Sequence, residues 1–319
     1  MKHLFGWLIL SLAAQASILP EGISEVAPGV WFRQSKPGSG LCNNIFIEMK
    51  DFLVVVDANF PAGAKTAIGD AKALSPKPVK WVVDTHHHGD HLYGNAVWTR
   101  AGATTIAHRG VVEEIRRYEP EEWRLTGLKQ ADVAELHLPS PEPPRRTYTG
   151  DMFVIEDSTR RVELHHYGWS HTRGDSFVYL PKEKILCTGD VVVNGPFNFT
   201  PDAYLANWPK VIASVQKLAV ERVLPGHGPA AGPELLDGQR RFLEALYAEV
   251  VRAIQKGSTL DQLVTFADGR AVSTTIRLPE EFRTWVGERR LPGQVRDCYR
   301  EITAGKPAGA LPHAGPAPR

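Results

Sequence analysis

A run of histidines is the feature that most constrains how this chain can fold. Residues 86–91 read His-His-His-Gly-Asp-His and directly follow the apolar, strand-like segment 80–83. Imidazole and carboxylate groups are the ligands that zinc and similar divalent cations prefer. The run therefore predicts a metal-binding loop at the end of a strand.

Side-chain alternation divides this run. In an extended segment His86 and His88 point the same way, whereas His87 points away and is not expected to be a ligand. The glycine that follows permits a tight turn, which presents Asp90 and His91 to a neighbouring point. One short loop can thus serve two adjacent metal ions with two ligands each.

Two ligands per metal ion are too few for tight binding, and three isolated residues are candidates for the rest. His171 lies in Ser-His-Thr-Arg-Gly-Asp, Asp190 ends Cys-Thr-Gly-Asp, and His227 lies in Pro-Gly-His-Gly. Each of them stands where a strand-like segment gives way to a glycine-containing loop. In open α/β sheets, sites form at this edge, where strands end.

Strand and helix patterns alternate along the chain, which predicts an α/β layered domain. Segments rich in β-branched and aromatic residues predict strands at 30–32, 44–47, 52–56, 80–83, 104–107, 152–155, 162–166, 177–180, 184–187 and 222–224. Helical spacing predicts helices at 61–74, 93–100 and 209–218, and a long one that ends near residue 255.

The two ends of the chain differ from the middle. Residues 1–16 predict a cleaved signal peptide, since Lys2 precedes the apolar run Leu4–Ala14 and a small-x-small pattern at 14–16. An uncleaved anchor or a buried first helix is the alternative. We expect a periplasmic or secreted protein without stable membrane insertion after cleavage. Residues 17–303 predict one domain with a helical C-terminal portion, and 304–319, with four prolines and three glycines, a disordered tail.

The composition of the chain limits which classes of binding partner are expected. The formal net charge of +1 disfavours a nucleic-acid binder, so the expected partner is a small-molecule substrate. Three widely spaced cysteines do not make a disulfide scaffold, although one bridge is possible in an oxidising compartment. Cys187 lies in an apolar run and is expected in the core.

Four motifs taken in order, H-x-H-x-D-H, H-T-x-G-D, T-G-D and P-G-H-G, resemble the metallo-β-lactamase-fold hydrolase superfamily over residues from about 28 to 230. The resemblance implies a four-layer αββα sandwich with the site at one edge. It implies that His86, His88 and His171 bind one metal ion, that Asp90, His91 and His227 bind a second, and that Asp190 bridges them. It also implies that Asp57 supports the metal-binding loop, for which capping a turn is the alternative.

The resemblance further implies two zinc ions, with iron or manganese as alternatives. Two such ions share a water and lower its pKa towards neutrality, so that the resulting hydroxide attacks an ester, thioester, lactone or amide. Asp90 is placed to accept a proton or to orient this nucleophile. Tyr93, Asn194, Phe197 and Phe199 lie on loops expected to flank the cleft, where they either contact substrate or pack within their loops.

Asp190 indicates which branch of this superfamily the chain resembles. Zinc β-lactamases of this superfamily generally carry Cys or Ser at the bridging position, whereas Asp resembles the glyoxalase II, lactonase and phosphodiesterase branches. We therefore expect weak β-lactamase activity at most. Two other hypotheses remain open: a mononuclear iron sulfur dioxygenase with iron on His86, His88 and His171, and a non-catalytic metal-binding protein.

Overall fold

The computed structural model describes residues 19–36 and 38–312. The predicted signal peptide, 1–16, lies outside these residues. Within them, no helix combines the length and the apolar character that crossing a bilayer requires.

The first sheet has seven strands that lie in chain order. They are β1 (Ile23–Ala27), β2 (Val30–Arg33), β3 (Asn44–Glu48), β4 (Leu53–Val56), β5 (Val79–Val83), β6 (Thr104–His108) and β7 (Arg146–Tyr148). Neighbours from β1 to β4 pair antiparallel, and those from β4 to β7 pair parallel. The parallel part requires three crossover connections, and helices lie in all three: α1 in the first, α2 and α3 in the second, α4 and α5 in the third.

The second sheet has five strands in the order β12-β11-β10-β9-β8. They are β8 (Met152–Glu156), β9 (Arg161–His165), β10 (Phe177–Leu180), β11 (Ile185–Cys187) and β12 (Arg222–Leu224). All neighbours pair antiparallel except β11 and β12, which pair parallel. Consequently β9, β11 and β12 all run in the same direction.

Helices cover the outer faces of both sheets. In chain order they are α1 (Pro61–Leu74), α2 (Gly89–Leu92), α3 (Asn95–Arg100), α4 (Arg109–Gly127), α5 (Ala131–Ala134), α6 (Trp208–Val215), α7 (Glu234–Gln255), α8 (Leu260–Leu263) and α9 (Leu291–Ala304). A hairpin of β13 (Val264–Ala267) and β14 (Arg270–Thr274) packs on α9.

Strand β4 shows why the layers form. All four of its residues are buried, because both of its faces are covered. Val54 and Val56 face the other sheet, while Leu53 and Val55 pack under the helical layer that contains α1 and α3. On the far side, Phe177 of β10 packs in one cluster with residues of α6, α7 and α9. The predicted four-layer αββα sandwich is therefore confirmed.

The structure corrects one prediction about the C-terminus. Residues 305–312 do not form a disordered tail, since Ala308–Ala310 make a 3-10 turn and Ala308 is buried. The Gly309 amide donates to the Ala203 carbonyl, and its own carbonyl accepts from Tyr118. These hydrogen bonds to the Gly309 backbone order the segment. The prediction of disorder was wrong because it used only the segment's low helix and strand propensity. Residues 313–319 lie outside the described residues.

The cysteines form no disulfide. Cys42, Cys187 and Cys298 are all free and buried. Cys187 packs between the two sheets, as predicted.

Candidate metal centre

Five strand ends meet at one edge of the sandwich. Strands β4 and β5 of the first sheet are parallel, and their carboxyl ends lead to Asp57 and to the 86–91 loop. In the second sheet, the carboxyl ends of β9, β11 and β12 lead to His171, Asp190 and His227. The chain therefore brings residues up to 170 positions apart to one edge.

Three imidazoles converge in a first donor cluster. His86 Nε2 lies 3.0 Å from His88 Nδ1, and His171 Nε2 lies 3.1 Å from the same His88 nitrogen. All three side chains are buried. One nitrogen of each ring therefore faces a common point, as ligands of a tetrahedral metal ion do.

A second donor cluster lies beside the first. His227 Nε2 is 3.1 Å from Asp90 Oδ2 and 3.3 Å from His91 Nε2. Asp190 places its two oxygens 3.3 Å from His91 Nε2 and 3.3 Å from His227 Nε2. A ligand atom of Asp190 also lies within 4.8 Å of those of His86 and His91, so this carboxylate reaches both clusters.

The protonation of these rings fits metal binding. Burial and the neighbouring imidazoles lower the pKa of His86 well below its ordinary value, which keeps the ring neutral. Burial opposes ionisation of Asp190, but His227 and His91 outweigh it and hold the pKa of that carboxyl well below its ordinary value. Burial likewise opposes charge on His227, yet Asp190 and Asp90 raise its pKa to about 9. A divalent cation would replace this imidazolium charge among the carboxylates.

The outer nitrogens of three rings fix the tautomers. His88 Nε2 donates to Asp202 Oδ2 at 2.8 Å, and His91 Nδ1 donates to Asp57 Oδ2 at 2.8 Å, because an ionised carboxylate only accepts. Thr85 Oγ1 donates to Asp57 Oδ1, so it accepts from His86 Nδ1 at 3.0 Å. In each ring the proton lies on the outer nitrogen, which leaves the inner nitrogen's lone pair free for a metal ion. The residues present therefore fit two divalent cations.

The sequence match agrees with this geometry. Residues 37–227, which span the whole donor set, match the metallo-beta-lactamase superfamily. The chain belongs to this superfamily. As a metallo-beta-lactamase superfamily member with complete donor clusters, it is a metal-dependent hydrolase.

Curated relatives resemble the chain to different extents. It is 24% identical to the 2,4-dinitroanisole O-demethylase subunit alpha of Nocardioides sp. (strain JS1661), over 76% of this chain and 68% of that one. It is 30% identical to the acyl-coenzyme A thioesterase MBLAC2 of Homo sapiens, over 52% of this chain and 62% of that one. The chain thus spans less than two thirds of that thioesterase. It is 25% identical to the metallo-beta-lactamase type 2 of Bacillus sp. (strain 170), over 67% and 79%.

Solved structures of other proteins share the fold. The sec-alkylsulfatase Pisa1 from Pseudomonas sp. superposes with a TM-score of 0.68 at 20% identity, over 92% of this chain and 52% of that one. A metallo-beta-lactamase from Pontibacter korlensis superposes with a TM-score of 0.56 at 23% identity, over 70% and 98%. At these identities the likeness establishes the fold alone.

Asp57 occupies the position expected of a loop support. It is buried, and its φ of 67° lies in the left-handed region that non-glycine residues seldom adopt. Besides its bond to His91, it accepts from the Thr85 amide and hydroxyl, both at 2.8 Å. The strained backbone therefore carries a carboxylate that joins the metal-binding loop to the end of β4.

Asp202 is a site residue that the sequence reasoning missed. It lies on the loop between β11 and α6, follows no motif and is 2% exposed. It lies 114 residues from His88 in the sequence, so no local sequence pattern predicts their contact. His87 turns away from the donor clusters, with its Nε2 3.7 Å from Asp202 Oδ2.

Two of the four proposed substrate contacts border the site. The ring of Phe199 lies 5.2 Å from that of His88, and the ring of Phe197 lies 5.4 Å from that of His227. Asn194 is half-buried beside His227, since its backbone amide donates to the His227 carbonyl. Its side-chain Nδ2 donates to the Pro229 carbonyl.

Tyr93 does not border the cleft, so its prediction as a substrate contact is wrong. It is fully buried against Trp123, with ring centroids 4.8 Å apart, and its hydroxyl donates to Glu119. The short helix α2 turns this side chain inward, because Tyr93 directly follows the helix on its apolar side.

Proposed function

We propose that this protein is a dinuclear zinc hydrolase that cleaves a small ester, thioester, lactone or amide. The observation that carries the proposal is the convergence of seven donors in two clusters that Asp190 joins. A protein that only stores or senses a metal ion does not need a bridged pair with a partly exposed carboxylate beside it.

The donor set is compatible with zinc, the metal ion that we propose. It consists of imidazole and carboxylate groups, which suit zinc and also accept iron or manganese. Two divalent cations bound there would polarise the substrate oxygen and lower the pKa of a shared water.

Asp90 is the candidate proton acceptor. Its side chain is 24% exposed, more than the other donors, so it borders the cleft. Burial opposes its ionisation, but His91 and His227 outweigh it and hold the pKa of this carboxyl below its ordinary value. An ionised carboxylate at the cleft can accept a proton from an attacking water or orient it.

Two phenylalanines shape the opening. Phe197 and Phe199 pack on His227 and His88, one ring beside each donor cluster. They make an apolar rim that excludes water and suits an acyl group. Asp202 and Asp57 fix the orientations of the His88 and His91 imidazoles through hydrogen bonds.

Thioesters are the first bond class to test. The acyl-coenzyme A thioesterases are the curated relatives with the highest identity over their matched region among those described above. β-Lactams rank last, because Asp190 stands where the resemblance implies Cys or Ser in dedicated β-lactamases. Export through residues 1–16 is part of the proposal, and N-terminal sequencing of the mature protein should begin at Ser17.

The decisive experiment combines metal analysis with a substrate panel. Protein purified without added metal is analysed for zinc, iron and manganese, then loaded with zinc and assayed on thioesters, esters, lactones, amides, β-lactams and phosphodiesters. We expect two zinc ions per chain and turnover in the first four classes. One iron per chain with oxygen consumption on a persulfide would establish the dioxygenase instead. No turnover on any substrate would favour the non-catalytic hypothesis.

A further inference from the structure

A pocket adjoins the metal centre behind Phe199. One side of the Phe199 ring faces His88, and the guanidinium of Arg290 lies 5.5 Å from the centroid of the same ring. The walls come from the loop 198–201, the start of β14 and the first turn of α9, and they enclose a cavity of about 40 Å³ that is open to solvent. A single phenyl ring therefore separates this pocket from the first donor cluster.

The pocket is strongly positive. Its walls contain four arginines and one carboxylate: Arg270, Arg289, Arg290, Arg296 and Asp297. Asp297 is already engaged, since it accepts from Arg296 Nε at 2.8 Å and from Thr200 Oγ1 at 2.7 Å. Arg270 and Arg289 are exposed and have no ion-pair partner in the described part of the chain. The guanidinium groups therefore repel each other unless an anion lies among them.

A buried amide supplies a second, independent observation. Asn198 lines the same pocket and is 1% exposed, yet its Nδ2 has no hydrogen-bond partner among the described residues. Its Oδ1 accepts from Gln239 Nε2. A buried donor without an acceptor is costly, and an anion in the pocket within reach of this nitrogen would satisfy it.

We propose that this pocket binds a phosphate group carried by the substrate, some distance from the bond that is cleaved. The proposal rests on the proposed function, because it assigns the substrate of that hydrolase to phosphorylated acyl compounds. Guanidinium groups recognise phosphate oxygens through paired, charge-assisted hydrogen bonds, and several of them together suit a dianion better than a single carboxylate. Phe199 then lies between the phosphate pocket and the reacting carbonyl.

The test uses two thioesters that differ by one phosphate: S-acetyl-4′-phosphopantetheine and neutral S-acetylpantetheine. The variant R270Q/R289Q removes two exposed guanidinium groups and leaves the Arg296–Asp297 pair intact. R100Q, which removes one exposed arginine at the end of α3, controls for the loss of a surface charge outside the pocket. With zinc-loaded protein we expect kcat/KM to be at least about tenfold higher for the phosphorylated thioester. This ratio should fall towards one in R270Q/R289Q and persist in R100Q.

A binding measurement separates this proposal from the proposed function. Methyl phosphate is titrated into zinc-loaded wild type and both variants by calorimetry, with metal content checked in each. Weaker binding to R270Q/R289Q alone supports the pocket, even if neither thioester is hydrolysed, in which case only the thioesterase assignment fails. Equal kcat/KM values for the two thioesters, together with equal methyl phosphate binding in all three proteins, would overturn the pocket and leave the hydrolase standing.

Discussion

His88 Nε2 and Asp202 Oδ2 are 2.8 Å apart, although Asp202 belongs to a loop of the second sheet and His88 to a loop of the first. This contact decides which nitrogen of His88 faces the metal centre. A buried carboxylate on the outer nitrogen also strengthens the inner nitrogen as a ligand.

We expect Asp202→Asn to weaken zinc affinity about 10–100-fold, because the amide keeps the size of the side chain but loses the charge that orients His88. Zinc affinity is measured by competition with a chelator. Asp237→Asn, an exposed change on α7, is the matched control. Wild-type affinity in Asp202→Asn would show that His88 needs no orienting partner.

His88→Ala and Asp190→Ala should each reduce bound metal and abolish activity while the fold survives, because each removes a donor at the sheet edge and no core side chain. Metal content and circular dichroism provide the measurement. His165→Gln is a suitable control, since this histidine is also buried but lies outside the donor clusters. Full metal occupancy in either alanine variant would reject its role as a ligand.

Gly226→Ala should impair metal binding although Gly226 has no ligand atom in its side chain. A Cβ at this position would lie 2.3 Å from Asp190 Oδ1 and 2.8 Å from the Gly189 backbone, so the bridging carboxylate must move. We expect at least tenfold lower activity. Gly69→Ala in α1 meets nothing within 4 Å and should raise the free energy of unfolding by about 0.5–1 kcal/mol. Unchanged activity in Gly226→Ala would mean that Asp190 tolerates displacement.

His108 should make the fold sensitive to acid. Burial, the stacked ring of His166 at 3.7 Å and Arg109 lower the pKa of His108 to about 4. Since the unfolded chain takes up this proton near pH 6.5, stability is complete above that pH and is lost as pH falls towards 4. After allowance for solvent screening of this half-buried ring, the loss is roughly 1 kcal/mol.

The variant His108→Asn isolates this effect. His108 Nδ1 accepts from the Gly110 amide at the start of α4, and Asn preserves such a cap without titrating. Urea unfolding at pH 7 and pH 5 should show a smaller loss of stability in the variant than in the wild type. The difference between the proteins cancels the contribution of metal loss. Parallel pH dependences would contradict the prediction.

The sequence predicts the sheet edge well and the loops poorly. Residues 86–91, His171, Asp190 and His227 could be identified because each follows an apolar strand and precedes or contains glycine, a local signal. Asp202 has no such signal, since its role depends on a loop conformation and a partner 114 positions away. The prediction for Tyr93 was also wrong, because one turn of helix decides whether its ring faces the site or the core.

Each donor cluster draws on both sheets. His86, His88, Asp90 and His91 follow β5 of the first sheet, whereas His171, Asp190 and His227 follow strands of the second. A bound ion is therefore a cross-link between the two halves of the sandwich, and occupancy at one hundred times Kd adds about 2.7 kcal/mol to the free energy of unfolding. Chelation should therefore lower the melting temperature of this protein as well as inhibit it, and the melting temperature should rise with the concentration of free metal ion.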